Sequence, residues 1–570
     1  MTTTKHGFEI RGLDVPRGAA PPTGRFGRMF PTLPARPATG LPLAERLGLP
    51  GGLMDGGDTT TQQDSPTLDA GFTFLGQFID HNITFDATGN LGRQVDPEAT
   101  TNFRPPMLDL DHLYGSGPFA SPLLYDTRWH NTKLLVSPDG VDLARTAGGV
   151  ALIGDPRNDE NLLLNQVHLA FIKFHNRVVD GLMSGEITDV FGNRFPPPPA
   201  DPNPNPPANA SIADLLSVRT YWDDLFAAAQ QVVRWHYQWI IVHEYLPLVC
   251  GQDSVDTIDR DGLQFFDPAG NPFIPVEFAV AGFRFMHPTI RSDYTINDKH
   301  TLPLFPLNFD DPAPEDPHDR ADLRGGAVAP EFALDFRHFF TIDGSRPQRA
   351  KRIEAKLNVR LLDLPPITDV PAEIGRQLRS LVVRNLLRSE VQQLPSGQDI
   401  SRKIGQVPLT EAELGISGPA YLWYYILSRP SCATVAAGWA RSARHRQRGA
   451  DRPAGRGPDS YRSTYPIWTP TLAEQRGPVR HGRAAPLSPA WSRTEGPGHG
   501  PALRADQHPG RQPGSGVRHR RRRRDRGRRH ARHRRRRRRA RRPHLRSAGF
   551  AGIAGVRPAA PAVVRGERRQ

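Results

Sequence analysis

Nothing restricts the fold of this chain more than the change in its composition at Ser428. From there to Gln570 the 570-residue sequence holds 37 Arg, no Lys and 7 acidic residues, a net charge of +30, which leaves residues 1–427 at −15. The overall +15 therefore comes from the tail, while the body is acidic. Up to YLWYYIL (Tyr421–Leu427) apolar periodicity alternates with capping and turn residues. Beyond it, HRRRRRDRGRRHARHRRRRRRARR (His519–Arg542) offers almost no apolar side chains. Such a segment cannot bury enough surface to offset the entropy of ordering it, so a disordered Arg-rich C-terminal tail is expected and the fold must be built upstream.

Two explanations of the tail differ in kind. Clustered Arg releases counterions from phosphate, which suits a polybasic arm for DNA, RNA or anionic lipid. Arg, Pro, Gly, Ala and His without Lys or Asn is also what GC-rich DNA encodes out of frame, and this reading is favoured. Arg444–Ala454, RHRQRGADRPA, can be written in GC-rich codons whose one-base shift reads GIVSEVLIGL, a respectable helix. PDSYRSTYPIWTPTL (Pro458–Leu472) then returns briefly to ordinary protein. The expectation is a frameshifted or misassembled coding sequence over 428–570, with no specific nucleic-acid partner.

The body reads as one mainly α domain over 21–427 with long loops, preceded by an extension at 1–20. Helical patterns fall around 71–84, 160–183, 211–246, 275–291, 349–358 and 371–391, and FPPPPADPNPNPPANA (Phe195–Ala210) reads as a surface loop. No run approaches the roughly 18 apolar residues of a membrane helix, and the start lacks the apolar core of a secretory signal. Cys250 and Cys432 alone provide neither a disulfide framework nor zinc spacing, so a reducing cytoplasm is the default location.

Three polar knots interrupt this apolar pattern. In GQFIDHNITF (Gly76–Phe85), Gln77, Asp80 and His81 share one helix face while Phe74, Phe78 and Ile79 suit a core. In GDPRNDENLLLNQVHLAFIKFHNRVVD (Gly154–Asp180), Arg157 and Glu160 lie at the mouth of a helix whose stripe is Leu163, Val167, Phe171 and Phe174. In PVEFAVAGFRFMHPTIRSDY (Pro275–Tyr294), Arg284 and His287 share a face, and Pro288 perturbs the helix after His287. Alone, each has an ordinary explanation as a buried histidine or a solvated ion pair.

Taken in order, FLGQFIDHNITF, LDLDHLYGSG, GDPRNDEN with HLAFIKFHNR, EFAVAGFRFMHPTIR and VRNLLRSEVQQLPSGQ resemble the animal-type haem peroxidases of the peroxidase–cyclooxygenase superfamily, in particular its bacterial members. The resemblance covers roughly residues 20–427. It implies a distal His81 with Arg157 as its catalytic partner and Gln77 helping to hold a distal water or halide. It also implies His287 as the proximal ligand of haem b iron, with Asn385 hydrogen-bonded to that imidazole and Arg284 pairing with a haem propionate. Asp80 and Glu160 stand where the family forms ester links to haem, and Asn161 stands where one branch has a methionine link. Asp109 and Asp111, with the carbonyls of Pro105 and Met107, match loop ligands of a calcium ion. Asn82 replaces the usual Asp beside the distal histidine, one negative charge fewer.

The residue types agree with that chemistry. Peroxide cleavage needs a base that takes a proton from one oxygen and returns it to the other, and a fixed cation for the charge that develops; imidazole and guanidinium supply these. The expected function is haem-dependent reduction of hydrogen peroxide with oxidation of a small-molecule electron donor or halide. Fatty-acid dioxygenase relatives carry a tyrosine where this chain has Arg284, which favours peroxidase. A catalytically inactive haem-fold binding protein, truncated by the frameshift, and a nucleic-acid binder acting through the tail are the alternatives from other classes. Donor and oligomeric state are not readable.

Overall fold

Helices form where an apolar stripe finds a partner stripe, and the segments that position the site are held in this way. The computed structural model describes residues 24–57, 63–85, 101–104, 107–199, 212–262, 265–266, 273–305, 318–364, 377–429, 460, 464 and 468–470. The expected extension at 1–20, most of the loop at 195–210, Pro105 and nearly all of 428–570 lie outside the described residues. The architecture is mainly α: α1 (Gly40–Gly48), α2 (Gly71–Ile83), α3 (Leu162–Ser184), α4 (Ile212–Ile240), α5 (Leu381–Val391) and α6 (Leu422–Ser428) carry it. Helix α1 packs on α5, α3 on α4, and α2 on α3.

The junction of α2, α3 and α4 is aromatic. Phe78 of α2, without exposed surface, stacks on Phe171 of α3 (ring centroids 4.8 Å apart) and meets Tyr237 of α4 edge-on at 6.0 Å. A side chain so enclosed contributes about 3–5 kcal/mol relative to Ala. Gly76 lets the backbone of α2 approach the segment after α4, since a Cβ there would lie 2.5 Å from the Tyr245 hydroxyl. Helix α3 begins at Asn161, whose Oδ1 accepts from the Leu164 amide, and ends at Gly185 in the left-handed region. Its expected stripe of Leu163, Val167, Phe171 and Phe174 is buried.

Two expected helices take other forms. Over 275–291 the chain winds as a π-turn at Phe278–Gly282 and then a 3-10 helix at Phe283–Thr289. Pro288, without an amide hydrogen, cannot extend an α-helix there. Over 349–358 the chain forms β2 (Arg349–Lys351), antiparallel to β1 (Asp64–Asp69). Charge pairing decides this: Arg349 pairs with Asp69 and Lys351 with Asp64, while Ala350 between them points into the core. Of the helix expected at 371–391, residues 371–376 lie outside the described residues, and α5 begins with Ser380 accepting from the Val383 amide.

Helix α6 is buried on every side, from Tyr421 to Leu427. An all-apolar helix is stable only inside protein, and its hydroxyls are all engaged: Tyr421 donates to Glu390 (2.7 Å), Tyr424 to the Leu414 carbonyl (2.5 Å), and Tyr425 pairs with Ser401 (2.8 Å). Farther along, Trp468 is buried against Trp235 and His236 of α4, ring centroids 5.4 and 5.1 Å away.

Candidate active site

Helix α2 carries His81 in its last turn with the imidazole buried. Its Nδ1–H donates to Asn158 Oδ1 at 2.7 Å, and Asn158 Nδ2 donates to His168 Nδ1 at 2.9 Å. This relay leaves His81 Nε2 as the bare, basic nitrogen. Burial first, and then the Arg157 guanidinium, lower the His81 pKa to about 4, against opposition from Asp80 and Asp155. The imidazole is therefore neutral at physiological pH. His168, on α3, is lowered to about 3 by burial.

Arg157 follows the Asp155 turn on a short 3-10 helix, Pro156–Asp159. Its Nη2 and Nε bind the Asp155 carboxylate at 2.8 and 3.1 Å, and Nη2 also donates to the carbonyls of His81 (3.1 Å) and Thr84 (2.7 Å). The guanidinium carbon lies 4.5 Å from the centroid of Phe85. The cation is thus fixed at the C-terminal end of the helix that carries His81. Asp155 is held below the usual carboxylate range, in spite of its burial, by Arg157 and Arg104.

Gln77 is engaged at both ends: its Nε2 donates to Glu160, and its Oε1 accepts from Asn161 at 3.2 Å. Asp80 accepts from the Thr84 hydroxyl at 2.9 Å. Burial raises the Glu160 carboxyl to about 7 against Arg157, with Asp80 and Asp155 adding to the rise. Yet Glu160 is exposed by surface area, and Gln77, Asp80, Arg157, Arg284 and His287 are all partly exposed.

Across from α2, the irregular segment after Phe278 presents Arg284 and His287. Thr73 of α2 and Thr289 join the two sides by a 2.8 Å hydrogen bond, and the charge of Asp80 is felt at Arg284. Burial, then Arg284, lower the His287 pKa to about 3, while burial and Arg388 lower Arg284 to about 10. Asn385 of α5 lies between them: its Oδ1 accepts from Arg284 Nη1 (3.1 Å) and its Nδ2 donates to His287 Nδ1 (3.2 Å). The contact expected between Asn385 and His287 is present, but the amide gives a hydrogen bond to the imidazole instead of receiving one, because Arg284 takes its oxygen. Trp423 of α6 closes this side, its ring 5.8 Å from that of His287 and its N–H on the Arg284 carbonyl at 3.0 Å.

The donor set fits haem. Among the described residues the buried Nε–H of Arg284 is unpartnered, a cation that can take a carboxylate, and His287 Nε2 has no hydrogen-bond partner and becomes a ligand nitrogen once the ring proton sits on Nδ1. The expected calcium ligands do not fit. Asn82 points its Nδ2 at both Asp109 (3.2 Å) and Asp111 (3.0 Å), so a hydrogen-bond donor occupies the place between the two carboxylates. Among the described residues no group of three or more His, Cys, Asp or Glu side chains could hold a metal ion.

Asn158, Asp155, Arg104 and Trp423 were not singled out by sequence. Asn158 and Asp155 stand inside a quoted motif, but nothing local distinguishes them from capping residues; their roles come from partners such as His81, 77 positions from Asn158.

Residues 88–311 match the family model described as animal haem peroxidase. No curated protein sequence matches the chain. Among solved structures the chain is similar to peroxidase A from Dictyostelium discoideum, at 15% identity over 74% of this chain and 86% of that one, TM-score 0.46. It is similar also to fatty acid alpha-dioxygenases from Oryza sativa (14% identity, 70% and 72% covered, TM-score 0.43) and Arabidopsis thaliana (15%, 72% and 70%, TM-score 0.44).

Proposed function

We propose, for a chain that belongs over residues 88–311 to the animal haem peroxidase family, the reduction of hydrogen peroxide at a haem held by His287. The observation that carries the proposal is the neutral, Asn158-oriented His81 beside the fixed Arg157 cation, on a helix that the Thr73–Thr289 hydrogen bond joins to the segment of His287. When bound, haem supplies the redox-active iron. The protein supplies proton handling: His81 Nε2 accepts the proton of one peroxide oxygen and returns it to the other, and Arg157 stabilises the charge that develops there. Peroxide takes up two electrons and two protons to give two waters, and a small organic donor or halide supplies the electrons.

Other residues hold this apparatus. Arg284 is the side chain to meet a haem propionate, and an arginine so engaged no longer claims the Asn385 oxygen, which can then accept from His287 Nδ1–H and strengthen the ligand. Gln77, clamped between Glu160 and Asn161, is assigned to the distal wall beside His81. Among the described residues no helix is long and apolar enough to cross a membrane.

The test is haem reconstitution followed by absorption spectra. The chain should take up one haem per molecule and show a Soret band that shifts with one equivalent of peroxide. His287→Ala should abolish uptake, and His81→Ala should keep uptake but slow the shift by about 10²–10⁴-fold. Haem uptake that His287→Ala leaves intact would sink the proposal.

A further inference from the structure

We infer that this protein does without calcium: the Asn82 carboxamide and the Arg104 guanidinium do the ion's work, and Arg104 acts through Asp155 as a positioning residue for Arg157. A calcium site needs converging oxygens. Here the fully buried Asn82 turns its N–H groups to Asp109 and Asp111, and its one side-chain oxygen accepts from the Leu110 amide at 3.4 Å. The Asp109 carbonyl, a further oxygen of the loop, accepts from Arg234 Nε at 2.6 Å.

The positive charge comes from protein. Arg104 spans the region, with Nη1 on Asp111 (3.1 Å) and Nη2 on Asp155 (2.6 Å) and on the Gly154 carbonyl (3.2 Å). Three carboxylates, Asp109, Asp111 and Asp155, face three arginines, Arg104, Arg157 and Arg234.

The same bonds do the mechanical work of an ion, tying loop to helix. Leu110, between the two aspartates, sits at φ 62°, a left-handed conformation unfavourable for a branched side chain, and Asn82 holds it from α2. Arg104 then joins this loop to Asp155, whose carboxylate grips Arg157 through both Nε and Nη2. A chain of ion pairs therefore runs from the loop to the guanidinium assigned to peroxide. The calcium half of the inference is independent of haem; the positioning half rests on the function proposed above.

The calcium half is tested on the full chain without haem. Its melting temperature should be the same in EGTA and in millimolar calcium chloride, with substoichiometric calcium by elemental analysis, and the double variant Asn82→Asp, Arg104→Met should melt higher with calcium than without. Stoichiometric calcium, or a wild-type melting temperature that falls in EGTA and recovers with calcium, overturns it. For the positioning half, Arg104→Met in haem-loaded protein should lower kcat by about 10–100-fold with little change in KM for peroxide. Arg104→Lys, which keeps charge without the two-pronged reach, should recover part of that loss and provides the comparison if the methionine variant does not fold. An unchanged kcat in either soluble variant, or a lysine variant with no advantage over methionine, overturns the positioning role.

Discussion

A buried imidazole serves as a base only while neutral, and His81 is kept neutral by its burial and by Arg157. With its pKa lowered from 6.5 to about 4, Nε2 stays bare from neutral pH down to that value. The rate of the peroxide reaction should therefore hold across the mildly acidic range and fall as pH drops through about 4, where the protonated ring has no lone pair to offer; a stopped-flow pH profile checks this. Asn158 sets which nitrogen is bare. Asn158→Ala should leave a buried Nδ1–H unsatisfied, at a cost of about 1–3 kcal/mol in stability, and slow the same reaction by up to about 10²-fold through loss of orientation. The roles expected of His81, Arg157, His287 and Arg284 were legible only through the family resemblance that their motifs carry together and in order, because each alone has an ordinary explanation. Asn158 was not, since an asparagine beside an Asp-Pro turn looks like a cap until His81 is brought to it.

At the scale of elements, helices with a long apolar stripe were legible and short charged segments were not. The stripe of α3 forecasts its own burial, whereas RAK at 349–351 has too little apolar content to declare a period, and its form is decided by Asp64 and Asp69 across the sheet. Trp468 belongs to the same lesson. It lies beyond the change of composition at Ser428, yet it is buried on the face of α4 against Trp235 and His236. Trp468→Ala should destabilise the folded protein by about 3–5 kcal/mol, read from denaturant unfolding. A cost near zero would mean that this contact contributes nothing to the native state.

For the whole molecule, charge and fold separate along the chain. Residues 1–427 are acidic, and among the described residues the groups bonded to His81, Arg157 and His287 lie within them. A chain ending after Leu472 should keep the haem uptake and peroxide response of the full chain while losing its salt-dependent retention on immobilised DNA. Equal retention by both would place the nucleic-acid affinity in the body. The amino-acid sequence alone determined the mainly α class, the change of composition and charge at Ser428, and the residue types available for acid–base chemistry. These follow from composition and local spacing. Which partner each buried polar group takes was decided only in three dimensions. Arg104 reaches Asp155 51 positions away, Arg284 takes the oxygen of Asn385 101 positions away, and Asn82 faces carboxylates where an ion was expected. A polar group removed from water must bond to whatever the fold brings beside it, and that neighbour is set by packing, not by spacing along the chain.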